Sequence, residues 1–304
     1  MRILVTGSAR LNIFKKGGDS LLGRYLPFRL HPFSMGELSQ KNPTEDLSVA
    51  IEQIFSKNKR CRGDRGIYDR LFKFGGFPSP YSRASLQYLN IWHHERVEKL
   101  IREDLRDLSR IPDLSQIEML ASILPERVGN LLSVASLRRD LECAHNTVKN
   151  WLQYLEQLFY IFTISPYSRG LARSLKKEPK LYLWDWSEVE SIAARFENLV
   201  ASTLLKSCHF WSDIGMGSYQ LHFLRNKEKL EVDFLITKKQ KPWLTIEAKQ
   251  SRDDLSTNFI PFCKKLGLNH HIQIIHSPGV WQQKRVGDID VVVASAELLL
   301  PIFV

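Results

Sequence analysis

Alternating apolar and polar residues predict a β-hairpin in the last third of the chain. Residues 230–236 and 244–249 both alternate, and the basic residues 238–242 between them are typical of a loop. Successive side chains of a strand point to opposite faces, so one face should be apolar. This face is expected to contain Val232, Phe234, Ile236, Leu244, Ile246 and Ala248. The opposite face should contain Glu231, Asp233, Leu235, Thr245, Glu247 and Lys249.

Three charged residues of the second face are candidates for metal-dependent chemistry. Two carboxylates, Asp233 and Glu247, beside Lys249 can hold a hard divalent cation and position a water molecule. This is chemistry that can cleave a phosphodiester bond. The alternative is an ordinary ribbon with a solvated charged face, but the order Asp, loop, Glu-x-Lys inside strongly apolar strands favours the metal site.

A helix upstream of the hairpin contributes a further carboxylate. Apolar residues at helical spacing predict a helix over residues 191–205, and Glu197 interrupts its mostly uncharged sequence. A strand with alternating apolar residues follows before the hairpin. Its apolar positions are Tyr219, Leu221 and Phe223.

This order of elements resembles the PD-(D/E)XK nuclease superfamily, close to its Holliday-junction-resolvase-like branch. The resemblance assigns the catalytic positions to Glu197, Asp233, Glu247 and Lys249. The proline that precedes the aspartate in the family pattern is replaced by Val232, at a position that varies widely in the superfamily.

The resemblance also implies a role for each residue. Asp233, Glu247 and the carbonyl oxygen of Ala248 would ligate a Mg²⁺ or Mn²⁺ ion. Lys249 would orient the nucleophile and offset negative charge in the transition state. Glu197 would accept through water or ligate a second ion. A domain that keeps this fold without turnover, as a DNA-binding or protein-binding module, is the alternative.

A second resemblance extends the first along the chain. Residues 196–200, 231–234 and 246–251 resemble the carboxyl-terminal domain of a large prokaryotic family of AAA-type ATPases, and residues 3–11, 18–25 and 30–34 resemble its signatures nearer the amino terminus. It implies that Thr6, Ser8 and Arg24 are the remnant of a nucleotide-sensing site, although Thr6 to Ser8 can also be a plain strand ending.

The chain departs from that family in one respect that concerns ATP. It contains no G-x-x-x-x-G-K-[ST] motif, whose backbone amides and lysine hold the phosphates of a nucleotide. The resemblance therefore implies a member shortened at its amino terminus. We expect no ATP hydrolysis by this chain alone, while a fragment of an ATP-binding ATPase, completed by another chain, stays open.

The pattern divides the chain into four expected regions of a multi-domain α/β protein. They are a remnant of an AAA-type ATPase core (1–44), a helical region (45–112), a winged helix-turn-helix (113–178) and a carboxyl-terminal PD-(D/E)XK restriction-endonuclease-like α/β domain (179–304). Within the first region we expect a strand at residues 26–30 and a short helix at 34–38.

The winged helix-turn-helix is expected from two helices and a turn at residues 142–146. In the second helix, residues 147–156, apolar spacing places Val148, Leu152 and Leu155 in the core. DNA contacts are then expected from outward residues of this helix and from basic residues after a wing strand at 161–165. These residues are Lys149, Asn150, Gln153, Arg169, Arg173, Lys176, Lys177 and, further on, Lys180. A winged helix that serves only for packing is the alternative.

Composition agrees with a cytoplasmic protein that binds a polyanion. The 304 residues carry a net charge of +10, which favours a polyanionic partner such as nucleic acid. The alternative is that this charge has no specific acidic partner, since basic prokaryotic proteins are common. No apolar run approaches the length of a membrane span, and no signal peptide is visible. The four cysteines are scattered, as in proteins of a reducing compartment. A protein partner or a homo-oligomer stays open. Together with the carboxylates and lysine of the hairpin and the resemblance they carry, this composition leads us to expect a metal-dependent nuclease or a nuclease-like DNA-binding protein.

Overall fold

Helices form most of the first half of the protein, and a six-stranded mixed sheet forms most of the second. The computed structural model describes Leu4, Thr6 and residues 26–39, 47–56, 63–101, 114–168, 177–251 and 256–304. Several expected site residues lie outside the described residues. They are Ser8, Arg24, Arg169, Arg173 and Lys176.

Eight helices are described before the first strand, and polar side chains cap several of them. Ser34 and Glu37 form a reciprocal capping box on the first helix, and Asp64 accepts a hydrogen bond from the backbone of Ile67 on the third. The helices are α1 (Met35–Leu38), α2 (Leu47–Phe55), α3 (Arg65–Phe74), α4 (Pro78–Arg83), α5 (Leu86–Lys99), α6 (Leu114–Ile123), α7 (Val134–Asp140) and α8 (His145–Gln157). A 3₁₀ turn, Pro125–Arg127, follows α6.

A short antiparallel ribbon follows α8. It pairs β1 (Ile161–Ile164) with β2 (Lys180–Leu183), and an isolated bridge joins Leu131 to Lys180 on the other edge of β2. The domain boundary expected between residues 178 and 179 therefore runs through this ribbon. Another 3₁₀ turn, Trp186–Glu188, leads to the next helix.

The remaining elements build the sheet and the helices that cover it. Strand order is β3-β4-β5-β6-β8-β7, in which β5, β6 and β8 are mutually parallel and the other pairs are antiparallel. The elements are α9 (Ile192–Asp213), β3 (Tyr219–Arg225), β4 (Glu231–Lys238), β5 (Lys241–Lys249), α10 (Phe259–Leu266), β6 (His270–Ile275), β7 (Trp281–Val286), β8 (Ile289–Ser295) and α11 (Ala296–Leu299). A last 3₁₀ turn is Leu300–Ile302.

Both faces of the sheet are buried. On one face, α9 packs through Leu199 and Leu204 in a cluster that includes Phe234 and Ile246. On the other face, α10 packs through Phe259, Phe262 and Cys263, in a cluster that includes Leu235 and Val293. The alternation of apolar and polar residues in these strands therefore does not indicate a face open to solvent. A helix covers each face of the sheet. Among the described residues, no helix combines the length and apolar character that crossing a membrane requires.

A bulge in β4 corrects the expected arrangement of the hairpin faces. His222 pairs with Leu235 and Leu224 pairs with Val232, so two residues of β4 oppose one residue of β3. The extra residue reverses the alternation beyond it. Val232 consequently packs in the α10 cluster with Leu235, and does not share a face with Phe234.

Two expected local features also differ from the structure. The hairpin loop is shorter than residues 238–242, because Lys238 pairs with Lys241 and only Lys239 and Gln240 form the turn, both with positive φ. Residues 26–30 are described throughout and adopt no strand, whereas the short helix after Ser34 is confirmed as α1.

Candidate functional site

The β4–β5 hairpin places Asp233 beside Glu247 and Ala248. Phe234 pairs with Ile246, so the next residues along the two strands, Asp233 and Glu247, are neighbours at the end of the paired segment. One carboxylate oxygen of Asp233, Oδ2, accepts a hydrogen bond of 3.0 Å from the backbone N–H of Ala248. The bulge and this bond together fix the orientation of Asp233 at the edge where the ladder ends.

Glu247 is a buried carboxylate, and one of its oxygens has no hydrogen-bond partner among the described residues. Its residue exposure is 1%, and Oε1 accepts a hydrogen bond of 3.2 Å from the Ser256 hydroxyl. Oε2 is buried, and no described residue donates a hydrogen bond to it. The pKa of Glu247 is raised to about 7, mainly by burial and next by the charge of Asp233. The positive charge of Lys249 opposes this shift.

Glu197 lies in a different environment. It projects from the first turns of α9, whose amino end Ser191 caps. Glu197 Oε1 accepts hydrogen bonds from the Lys180 ammonium at 3.1 Å and from the Tyr182 hydroxyl at 2.7 Å. Burial and the charge of Asp233 raise the pKa of Glu197, and Lys180 and Tyr182 oppose this shift.

Lys180 is the central cation of this part of the site. It is 2% exposed, and its Nζ lies 2.7 Å from Glu231 Oε1, 3.1 Å from Glu197 Oε1 and 3.7 Å from Asp233 Oδ1. Burial lowers the pKa of Lys180, but the three carboxylates outweigh burial and hold that pKa above its usual value. Lys180 is therefore a charged residue inside the protein, and the expected contact with phosphates on the surface is wrong.

The structure does not gather the three expected carboxylates into one metal-binding group. The charge of Asp233 raises the pKa of both Glu197 and Glu247. Glu197, however, accepts hydrogen bonds from Lys180 and Tyr182, whereas Glu247 accepts one from Ser256. In the parts of the chain that the structure describes, no group of three or more His, Cys, Asp or Glu side chains could hold a metal ion. A pair of carboxylates, Asp233 and Glu247, is what remains for a cation.

Four residues of the site were not predicted from the sequence as members of it. They are Lys180, Tyr182, Glu231 and Arg225. The Arg225 guanidinium pairs with Glu231, which the bulge directs toward Lys180. The signal that could have identified Lys180 is its position at the start of a strongly apolar strand, because a lysine there is buried only with a partner.

The expected DNA-binding residues that are described lie on the surface. Lys149, Asn150 and Gln153 are exposed on α8, opposite the buried Val148 and Leu152. The helix thus has the buried and exposed faces that the spacing predicts. Lys177, at the end of the segment before β2, is also exposed, as is Thr6 of the expected nucleotide-sensor remnant.

Comparisons with known proteins connect the chain to prokaryotic relatives. It is 21% identical over 250 residues to an uncharacterized protein of Mycobacterium tuberculosis and to one of Mycobacterium bovis, matches that cover 80% of this chain and 51% of each relative. An uncharacterized protein of Haemophilus influenzae is 20% identical over 245 residues, covering 74% of this chain and 56% of the relative. The chain spans about half the length of these curated relatives.

Two domain families match the chain and overlap in α9. Residues 193–302 match the domain of unknown function DUF4143, which is found in proteins associated with AAA-type ATPases. Residues 65–219 match the domain of unknown function DUF8612. The DUF8612 match covers just over half of the chain, and the chain therefore belongs to the DUF8612 family.

Proposed function

We propose that this protein is a nuclease of the PD-(D/E)XK kind that binds nucleic acid through a winged helix and hydrolyses it with Mg²⁺ or Mn²⁺. The observation that carries the proposal is the buried carboxylate of Glu247. One of its oxygens accepts no hydrogen bond from the residues that the structure describes, Asp233 lies beside it, and Lys249 follows two residues later.

The pair of carboxylates fits a single divalent cation. A buried carboxylate oxygen without a partner is costly, and a neighbouring carboxylate adds repulsion. A bound cation relieves both effects, because it supplies the missing ligand and the opposite charge. We assign Glu197 a different role, since Lys180 and Tyr182 already donate hydrogen bonds to its Oε1.

The proposed roles of the residues follow from their positions. A cation bound by Asp233, Glu247 and the carbonyl oxygen of Ala248 would lower the pKa of a water molecule and offset phosphate charge. The Ala248 N–H holds Asp233 in place, and the Ser256 hydroxyl holds Glu247. Lys249 would offset negative charge on the phosphate and orient the attacking group. The backbone oxygen of Lys249 accepts a hydrogen bond from His276, which anchors the end of β5.

The order of elements supports the assignment of the fold. Helix α9, strands β3, β4 and β5, helix α10 and strand β6 follow one another as in the superfamily that the sequence resembles. The arrangement of α6, the bridge at Leu131, α7, α8, β1 and β2 supports a winged helix, because β2 lies between β1 and the bridge. The exposed polar face of α8 is then the surface proposed to bind DNA.

Cleavage of DNA by the purified chain tests the proposal. Supercoiled plasmid and labelled single-stranded and double-stranded oligonucleotides are incubated with Mn²⁺, with Mg²⁺ or with a chelator. We expect cleavage that requires the ion and is lost in the Lys249→Ala variant. Lys241→Ala is the matched control, because Lys241 is exposed at the other end of the same strand.

Separate measurement of binding distinguishes the catalytic alternative from the silent one. Fluorescence anisotropy should show that Lys249→Ala binds labelled duplex with nearly unchanged affinity although it no longer cleaves it. If the wild-type protein binds DNA and never cleaves it with either ion, the chain is a catalytically silent nucleic-acid-binding module and the nuclease proposal fails.

A role as part of an ATP-binding assembly is the second candidate function. The DUF4143 match supports it, since that domain is found in proteins associated with AAA-type ATPases. The printed sequence contains no phosphate-binding loop, so nucleotide would have to be held by residues of another chain or domain. Calorimetry with ATP and Mg²⁺ tests this candidate. It predicts no micromolar binding by this chain alone, and such binding would mean that the chain itself holds the nucleotide.

A further inference from the structure

The ammonium group of Lys180 lies between the carboxylates of Glu197, Glu231 and Asp233. Its Nζ is within 3.1 Å of one oxygen of Glu197 and within 2.7 Å of one oxygen of Glu231. The side chain is only 3% exposed. A charged group that is desolvated to this degree persists only where opposite charges surround it, so Lys180 and the carboxylates depend on one another.

One oxygen of the Glu197 carboxylate, Oε1, is already occupied by two hydrogen-bond donors. Tyr182 donates a hydrogen bond to the same oxygen as Lys180. On another side lies Gly129, which has φ of +79°, and a Cβ atom at this glycine would be 3.3 Å from both carboxylate oxygens. The backbone therefore approaches Glu197 closely on this side. Cation, hydroxyl and backbone together contact the carboxylate, which stays partly exposed.

The charges of this cluster are nearly balanced without an added ion. Glu197, Glu231 and Asp233 contribute three negative charges, and Lys180 and Arg225 contribute two positive charges. Among the described residues of the cluster, a net charge of about minus one remains. Asp233 also neighbours the cation proposed beside Glu247, which would offset this charge. Glu247 differs from these residues because one of its buried oxygens accepts no hydrogen bond from the described residues, and no cation of the cluster pairs with it at close range.

We propose that Lys180 is a built-in cation that takes the place of a second metal ion, so that the centre binds one divalent ion, at Asp233 and Glu247. This inference rests on the proposed function, because it assumes that the pair binds an ion at all. Glu197 is then a positioning residue that holds Lys180, and not a metal ligand. Lys180 belongs to the β1–β2 ribbon, so the ribbon completes the site of the sheet.

The number of Mn²⁺ ions bound by the full chain tests the inference without any activity measurement. Electron paramagnetic resonance of free Mn²⁺ and calorimetry should give one ion per chain for the wild type. Lys180→Met should bind two, because three carboxylates lose their cation. Lys180→Arg should bind one, since it keeps the charge. Lys241→Met is the matched control and should also bind one.

A second variant answers the same question if Lys180→Met fails to fold. Glu197→Gln keeps the size and hydrogen bonding of the residue, and leaves Lys180 with two carboxylates. The dissociation constant for Mn²⁺ should stay within about threefold of the wild type, because Glu197 does not touch the ion. Near-ultraviolet circular dichroism establishes that each variant is folded.

The outcomes separate this inference from the proposed function. A wild-type protein that binds no Mn²⁺ at millimolar concentration overturns the proposed metal centre, and the inference with it. One ion in the wild type with a tenfold or greater loss in Glu197→Gln overturns the inference alone. Two ions in the wild type, or a single ion in folded Lys180→Met, also overturn it and leave the nuclease proposal standing.

Discussion

Replacing Glu247 by glutamine should stabilise the metal-free protein at alkaline pH and change its stability little at acidic pH. Glu247 is 1% exposed, and within the described part of the chain one of its oxygens has no hydrogen-bond partner. Burial and the nearby Asp233 raise the pKa of Glu247 from the usual 4.5 to about 7. Glutamine has nearly the same shape and no charge, so it resembles the protonated form of the native residue.

The size of the effect follows from the difference between the folded and unfolded pKa values. The folded state binds the Glu247 proton more tightly, so this residue favours folding below the unfolded pKa of 4.5. That contribution is lost as pH rises through about 7. A pKa difference of this size corresponds to about 3 kcal/mol of unfolding free energy, at 1.36 kcal/mol per tenfold change in proton affinity. The full difference should be present at pH 8.

Urea denaturation followed by tryptophan fluorescence measures this effect. Wild type and Glu247→Gln are compared at pH 5 and pH 8 in the presence of a chelator, and the variant's gain is the difference between its unfolding free energy and that of the wild type. We expect a gain of less than about 1 kcal/mol at pH 5 and about 3 kcal/mol at pH 8. Glu228→Gln, which replaces an exposed carboxyl group, is the control.

Equal gains at the two pH values would refute the reasoning, because they would mean that Glu247 is ionised at pH 5 or is solvated in the folded protein. Addition of Mn²⁺ gives an independent check. The ion should stabilise the wild type at pH 8 in proportion to the logarithm of its concentration. The same addition should stabilise Glu247→Gln far less, since the variant lacks a ligand.

Four further predictions concern the surface, the backbone and nucleotide. Changing Lys149 and Asn150 to alanine should weaken duplex binding and lower the slope of log affinity against log salt by about one, and an unchanged salt slope in anisotropy titrations would refute the role of α8. Gln240→Gly should raise the unfolding free energy by about 0.5–1 kcal/mol, because position 240 has φ of +63°, which glycine adopts without strain. Urea denaturation measures this change in unfolding free energy. Gly75→Ala should cost more than about 2 kcal/mol, since its Cβ would lie 2.5 Å from Asp185, whereas Gly215→Ala, with open space around it, should cost about 1 kcal/mol. Calorimetry should show no ATP binding by this chain at micromolar concentrations.

Local patterns predicted most elements of the sheet domain. The spacing around Phe196 and Leu199 indicated α9, and alternation indicated β3, β4 and β5. The faces of α8 were also predicted, because a single helix obeys one periodicity and Val148 and Leu152 repeat with it. These features depend on residues that are near one another in sequence, which is why a pattern is enough to find them.

The arrangement of the site depends on residues distant in sequence, and the pattern could not supply it. The bulge at Asp233 and Phe234 inserts one residue, and alternation assumed an unbroken strand. Lys180 was interpreted as a surface cation because its partners, Glu197 and Glu231, lie 17 and 51 residues later in the chain. The position of β8 between β6 and β7 is likewise a property of the whole sheet.

Helix α9 has a consequence for how this protein can vary by recombination. Its first turns hold Glu197, and its last turns hold the amino-terminal segment through pairs of Lys206 with Glu37 and Asp213 with Arg29. Both matching families include most of its residues, since they overlap at 193–219. A crossover inside α9 would combine a Glu197 from one relative with a Lys206 and an Asp213 from another, and each would meet partners that belong to a different sequence. Viable exchanges between relatives should therefore have their breakpoints outside the helix, so that it is inherited whole together with the ribbon that supplies Lys180.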